Sequence, residues 1–308
     1  MVKTVGHYRR EGRQVIALRP NSTQTIGVEQ VTSLRSHAAE IAVGARFTFG
    51  KNWQQFLRRL TEDRIDDAER SLCRMLQVSD LSGKRFLDAG SGSGLFSLAA
   101  RRLGARVRSF DYDPASVWCT RELRGRYYPD DPEWVVEEGS ILDEAYVASL
   151  GTYDVVYSWG VLHHTGALWR ALASVETLVR PGGLLSIAIY NDQRFITRYW
   201  TWVKRHYNQS RAAKVFITMV HAPYLLGVPW LLSAIIRRTK QGRGMSGWTD
   251  MLDWLGGYPF ETARPEDIVE FYRPKGLILQ KMTTCGGRHG CNEFVFLKLT
   301  HLDARGSV

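Results

Sequence analysis

The chain has 308 residues, 44% hydrophobic and 23% charged, enough for a full core and larger than one α/β sheet domain by about half. Its four cysteines are too few for a disulfide-built scaffold, so a cytoplasmic protein with reduced thiols is expected. The net charge of +10 sits in one place, since Arg194 to Arg243 holds ten Lys or Arg and no acid, which argues against a protein that grips nucleic acid along its whole face.

Residues 1–40 show no clear periodicity. Phe47-Thr48-Phe49-Gly50-Lys51-Asn52-Trp53 then leads into an amphipathic helical stretch to about Gln77. An apolar run, Arg85-Phe86-Leu87, stops at Asp88, and glycines follow at 90, 92 and 94 before a helical pattern starts at Leu95. A strand, a tight turn and a helix start make the first βα unit of a nucleotide-binding sheet. The spacing fails the Gly-x-Gly-x-x-Gly dinucleotide fingerprint, because the sixth position from Gly90 is Leu95. Asp88 would repel a pyrophosphate but suits a ligand with an ammonium group and no phosphate, such as S-adenosylmethionine (SAM).

The next run, Val107 to Phe110, ends at Asp111-Tyr112-Asp113-Pro114, which places an acid where a ribose would offer its hydroxyls. Trp134-Val135-Val136 leads to Glu138-Gly139-Ser140-Ile141-Leu142-Asp143. A fourth run, Tyr153 to Tyr157, enters Ser158-Trp159-Gly160-Val161-Leu162-His163-His164. A helix from Trp169 to Val179, Arg180-Pro181-Gly182-Gly183 and a fifth strand, Leu184 to Tyr190, complete the alternation. Five strand–helix alternations predict a mainly parallel sheet wrapped by helices.

The basic insertion follows. Phe195 to Tyr207 carries aromatics largely on one helical face, and Val215 to Ile236 runs 22 residues without a charge. Pro223, Gly227 and Pro229 break that run, and cations on both flanks give no orientation bias, so a membrane span is not expected. A lid over the site or a homodimer contact is the favoured reading for the insertion. Peripheral contact of residues 211–243 with an anionic membrane surface, or binding of an acidic or nucleic-acid substrate, is the alternative. Trp, Gly, Asp and Tyr crowd residues 244–261, as in pocket walls. Cys285 and Cys291 flank a Gly-Gly-Arg-His-Gly turn whose spacing is not a zinc pattern, so no metal is expected; a hairpin of Leu277–Thr284 and Asn292–Leu299 explains it better.

Over residues 70–192 the order of these motifs resembles the class I SAM-dependent methyltransferases, in their small-molecule branch. The resemblance implies a doubly wound, Rossmann-like seven-stranded sheet with helices on both faces. It further implies an N-terminal helical arm over the cofactor mouth (1–78), a SAM-binding core (79–192), a helical cap inserted after strand five (193–262) and a C-terminal helix and hairpin (263–308). Asp88, Gly90, Ser91, Gly92 and Gly94 would hold the methionine end, Asp111 the ribose, and Tyr112, Ser140 and Ile141 the adenine. Ser140 stands where an Asp is common, and Ser158 would complete the cofactor set. His163 and His164 lie at the substrate edge as candidate bases, titrating near neutrality. Phe49, Trp53, Trp159, Tyr190, Asn191, Asp192 and Tyr258 are the expected acceptor wall. The implied activity is methyl transfer to a small-molecule acceptor with release of S-adenosylhomocysteine (SAH). An RNA or protein methylase using the basic insertion, or a non-catalytic SAM binder, is the alternative.

Overall fold

The computed structural model describes residues 37–227, 247–286 and 290–300, all of them within one compact unit, Arg35–Val308. Readings that fall on residues 1–36, 228–246, 287–289 and 301–308 lie outside the described residues.

The expected helical stretch after Trp53 is two helices. After a short α1 (His37–Ala42) come α2 (Gly50–Leu57) and α3 (Glu62–Leu76). Glu62 and Asp63 occupy the first turn of α3, where the helix dipole favours anions. Ile65, Ala68, Leu72 and Leu76 form its buried stripe. The core then alternates β1 (Arg85–Ala89), α4 (Leu95–Arg102), β2 (Arg106–Asp111), α5 (Pro114–Tyr127), β3 (Trp134–Glu138), α6 (Glu144–Leu150), β4 (Tyr153–Trp159), α7 (Leu168–Thr177) and β5 (Val179–Tyr190). The cap follows as α8 (Phe195–Tyr207), α9 (Arg211–Ala222) and a π-turn at Pro223–Gly227, then α10 (Gly247–Gly256). The chain closes with α11 (Pro265–Tyr272), β6 (Leu277–Thr283) and β7 (Cys291–Lys298).

One seven-stranded sheet runs in the order β3-β2-β1-β4-β5-β7-β6. The first five strands are parallel, and β7 lies antiparallel between β5 and β6. Successive side chains point to opposite faces, and each face has its own core. Leu87 and Val156 join the cluster under α7 and α11, while Phe86 and Val155 join the one under α3 and α4. β5 begins five residues earlier than the sequence suggests, because a register shift opposite Tyr153 and Val155 lets Arg180 to Gly183 extend the strand. The cap has a third core of Trp200, Val203, Tyr207, Ile217, Met251 and Leu255. Among the described residues no helix is long and apolar enough to cross a membrane.

Candidate active site

Strand order reverses between β1 and β4, and in such sheets ligands bind outside the carboxyl ends of the strands at that point. The β1–α4 turn lies there. Gly90 and Gly92 both have positive φ, +87° and +55°. A Cβ on Gly90 would sit 2.3 Å from a Val161 methyl, and one on Gly92 would sit 3.1 Å from Trp53 Nε1. Conformation and close approach therefore both require glycine at these two positions.

Two acids serve this turn. Asp111 accepts the Gly92 N–H on one carboxylate oxygen and the Asp113 N–H on the other, each at 2.9 Å. Burial pushes its pKa up to about 6, and these backbone donors pull the other way. Asp88 lies beneath the turn, where burial raises its pKa to about 7. It accepts the Ser97 hydroxyl at 2.5 Å, and Ser97 and Ser109 share a second bond of 2.7 Å. Because Ser97 has given its one proton to Asp88, Ser109 is the donor to Ser97, and Ser109 in turn accepts from Trp134 Nε1 at 2.9 Å. A buried relay thus orients the Asp88 carboxylate from β3 across β2 and α4.

Of the residues expected to meet the adenine, Tyr112 has the Arg46 guanidinium 5.0 Å from its ring centroid and His37 edge-on at 5.3 Å. Ser140 accepts the Leu142 N–H, and Ile141 is buried against the α7 core. Ser91 is bonded to Thr120, 2.9 Å away. Ser158 departs from the expected cofactor role: its hydroxyl is fully buried and donates to the Ala89 carbonyl at 2.7 Å, tying β4 to β1.

The acceptor side gathers only part of the expected wall. His163 and His164 lie in a short 3₁₀ turn after β4, with ring centroids 4.5 Å apart. Tyr190, at the end of β5, packs 4.1 Å from His163, and Phe49 packs 5.0 Å from His164. Trp254 and Phe260 close over Tyr190 at 5.6 and 5.1 Å. A cleft beside these rings is lined by Tyr190, Asn191, Thr197, Trp200, Trp254 and Phe260. Trp53 lies instead over the glycine turn. Trp159 packs on the α3–α4 face and donates to Glu293. Asp192 accepts the Arg194 N–H as a turn residue, and Tyr258 meets the arm through its carbonyl, which accepts from Phe47 N–H.

The protonation expected of the histidines is not what burial produces. His164 is held down to about 3, mainly by burial and against the pull of the Pro259 carbonyl. Its Nδ1 lies 2.6 Å from that carbonyl; a carbonyl only accepts, so Nδ1 carries the proton and Nε2 keeps its lone pair. His163 is fully buried and lies well below the usual histidine range, from burial first and then from His164 and Lys204. Neither ring nitrogen has a hydrogen-bond partner of ordinary geometry among the described residues, although the Ala188 backbone lies near enough to counter burial weakly. Both rings are therefore neutral near pH 7.

Two further residues, Lys204 and Arg46, escaped the sequence reading. Lys204 is fully buried, its ammonium 4.3 Å from the Trp254 ring centroid and 4.6 Å from that of Phe260, and it donates to the Trp254 carbonyl. Burial lowers its pKa to about 7, while that of Asp253, which accepts from Asn52, is raised to about 7 by burial. Arg46 joins the two halves of the site, because it covers Tyr112 and donates to the His164 carbonyl at 2.9 Å. No cluster suited to a metal ion occurs among the described residues.

The glycine turn and the two acids offer the chemistry that the amino acid end and the ribose of SAM need, since both carboxylates ionise near neutrality. The chain is similar to known methyltransferases. A ubiquinone biosynthesis O-methyltransferase of Methylocella silvestris is 32% identical over 111 residues, covering 36% of this chain and 41% of that protein. A tRNA U34 carboxymethyltransferase of Pseudomonas savastanoi pv. phaseolicola is 36% identical over 146 residues, covering 42% and 44%. The chain thus matches less than half the length of these curated relatives. An O-methyltransferase family protein from Burkholderia thailandensis shares the fold, with a TM-score of 0.51 at 12% identity over 89% of this chain and 63% of that one. The sequence model of a family described as a methyltransferase domain matches residues 57–220. With more than half of its length so matched, on this sheet and this glycine turn, the chain belongs to the methyltransferase-domain family, the class I SAM-dependent methyltransferases, whose cofactor is SAM.

Proposed function

We propose that this protein methylates a small-molecule acceptor held between the carboxyl ends of β4 and β5 and the cap. The observation that carries this reading is the ring cluster of His163, His164, Tyr190, Trp254 and Phe260 beside a narrow cleft. Rigid rings with few polar groups suit a small, flat acceptor, whereas a base in a folded RNA would need an open, cationic approach.

SAM supplies a methyl group on a sulfonium, and the protein's part is alignment and exclusion of water, worth up to ~7–11 kcal/mol in favourable cases. Asp88 would hold the ammonium end and Asp111 the ribose hydroxyls. Arg46 fixes Tyr112 and the histidine turn relative to each other. A neutral His163, whose ring nitrogens have no hydrogen-bond partner of ordinary geometry among the described residues, is ready to accept a proton from an acceptor hydroxyl. Its low basicity is sufficient, because a hydroxyl oxygen becomes strongly acidic as it gains the methyl group.

The test is SAH release with a panel of phenols, amines, thiols and tRNA. His163→Ala should lower turnover of a hydroxyl acceptor by ~10²–10⁴-fold while SAH affinity holds. Unchanged turnover removes the base assignment. Turnover with tRNA alone overturns the small-molecule reading, and SAH binding without turnover of any acceptor leaves only a SAM-binding protein.

A further inference from the structure

The outer surface of the cap is apolar where a solvated face should be polar. On α8, Phe195, Ile196, Tyr199 and Trp202 are exposed, Phe195 to 79%, beside the face of the same helix that buries Trp200, Val203 and Tyr207. On α9, Val215, Phe216, Met219 and Val220 are exposed, Phe216 to 65%, behind the buried Ile217 and His221. Tyr199 reaches His221 across the pair at 2.6 Å, so the stripe on α8 borders α9. With Tyr224 these make nine of the sixteen large apolar side chains that are exposed among the described residues. Packing one face of each helix into the cap core explains the inner stripes and leaves the outer ones without a packing partner assigned among the described residues.

Cations rim these stripes. Arg194, Arg198, Arg205, Arg211 and Lys214 are all exposed, and none belongs to an ion pair among the described residues. No acid occurs from Gln193 to Gly227. A self-associating surface would place like charges against each other without a compensating acid, which disfavours a second copy of the chain. An RNA-binding surface would set cations at its centre to meet phosphates. Here the two helices expose eight large apolar side chains against four cations, so the cations stand among apolar residues. An apolar surface edged with cations matches an acyl layer beneath anionic headgroups.

We infer that the outer faces of α8 and α9 dock this protein on an anionic phospholipid surface. The docking does not require methyl transfer, and both helices face lipid with residues that contribute nothing to the ring cluster.

The experiment is sedimentation of the full chain with phosphatidylcholine vesicles, with and without phosphatidylglycerol, at low and high salt. SAH affinity and light-scattering mass are measured for every variant. Binding should need phosphatidylglycerol and fade at high salt, where Debye screening shortens the attraction. The Trp202→Ser/Phe216→Ser variant should lose at least about tenfold in partitioning with SAH affinity unchanged. Arg211→Gln/Lys214→Gln should also lose about tenfold or more, given roughly fivefold for each cation near the surface. Absence of vesicle binding overturns the inference, as does equal binding to neutral vesicles or full binding by the double variants. A stable dimer that the Trp202/Phe216 variant dissociates, or salt-sensitive tRNA binding that displaces the vesicles, also overturns it and assigns the face to that partner. Loss of methyl transfer with vesicle binding intact would refute the proposed function alone.

Discussion

Asp88→Asn should stabilise the ligand-free protein increasingly as pH rises. The carboxyl is buried beneath the glycine turn and its pKa is raised from 3.8 to about 7. A folded-state pKa above the unfolded value means that the native protein binds this proton more tightly, so stability falls as pH climbs from the unfolded toward the folded pKa. The full shift corresponds to roughly 4 kcal/mol once the group is ionised in the native state. Asparagine carries no charge, and its side-chain oxygen can still accept the Ser97 hydroxyl, which leaves the Trp134–Ser109–Ser97 relay intact. The variant should therefore gain about 3 kcal/mol on the wild type between about pH 5 and about pH 8. Urea denaturation of both proteins across that range gives the difference directly. Any packing or hydrogen-bond penalty of the amide shifts the whole curve without changing its slope. A difference that does not vary with pH would refute the buried-carboxylate argument.

Asp111→Ala should weaken SAH binding by about 10²-fold, for charge-assisted hydrogen bonds of roughly 1.5–3 kcal/mol each. Wild-type affinity, read by calorimetry, should decline as pH falls through about 6, where Asp111 gains its proton, and Asp111→Asn should flatten that decline; unchanged affinity in Asp111→Ala removes the ribose assignment. Gly90→Ala should destabilise the protein by about 2–5 kcal/mol in urea denaturation, combining left-handed backbone strain with the clash against Val161. Adding Val161→Ala should recover the packing part only, and complete recovery would show that the backbone carries no strain.

The donor half of the site was legible because its chemistry is local. A glycine turn after a strand and an acid at the next strand end depend on backbone conformation a few residues long, and both lie where the spacing put them. The positions of His163 and His164 were legible for the same reason. Their protonation was not, because Phe49, Trp254 and Phe260, which help bury the histidines or Tyr190 beside them, come from about a hundred residues away on either side. Lys204 reads in sequence as one of ten cations on a solvated insertion, and only the packing of α10 against α8 turns it inward. Ser158 and Asp192 sit at strand ends as binding residues do, yet a sequence cannot show that a neighbouring carbonyl or N–H already engages the side chain. The resemblance implies one wall for Trp53 and Trp159, whereas α2 carries the first to the glycine turn and strand alternation sends the second to the α3–α4 face.

The start of α2 is fastened at a single carboxylate: Gly50 N–H donates to Asp113 at 2.9 Å, and the same carboxylate caps α5 through the Ala115 N–H. From that anchor α2 presents Phe49 to His164 and, one turn later, Trp53 to Gly92. Two residues four apart at the start of this helix, Phe49 and Trp53, therefore touch His164 on one side and the glycine turn on the other. Any movement that lifts the indole from the donor turn also withdraws the phenyl ring from the acceptor side.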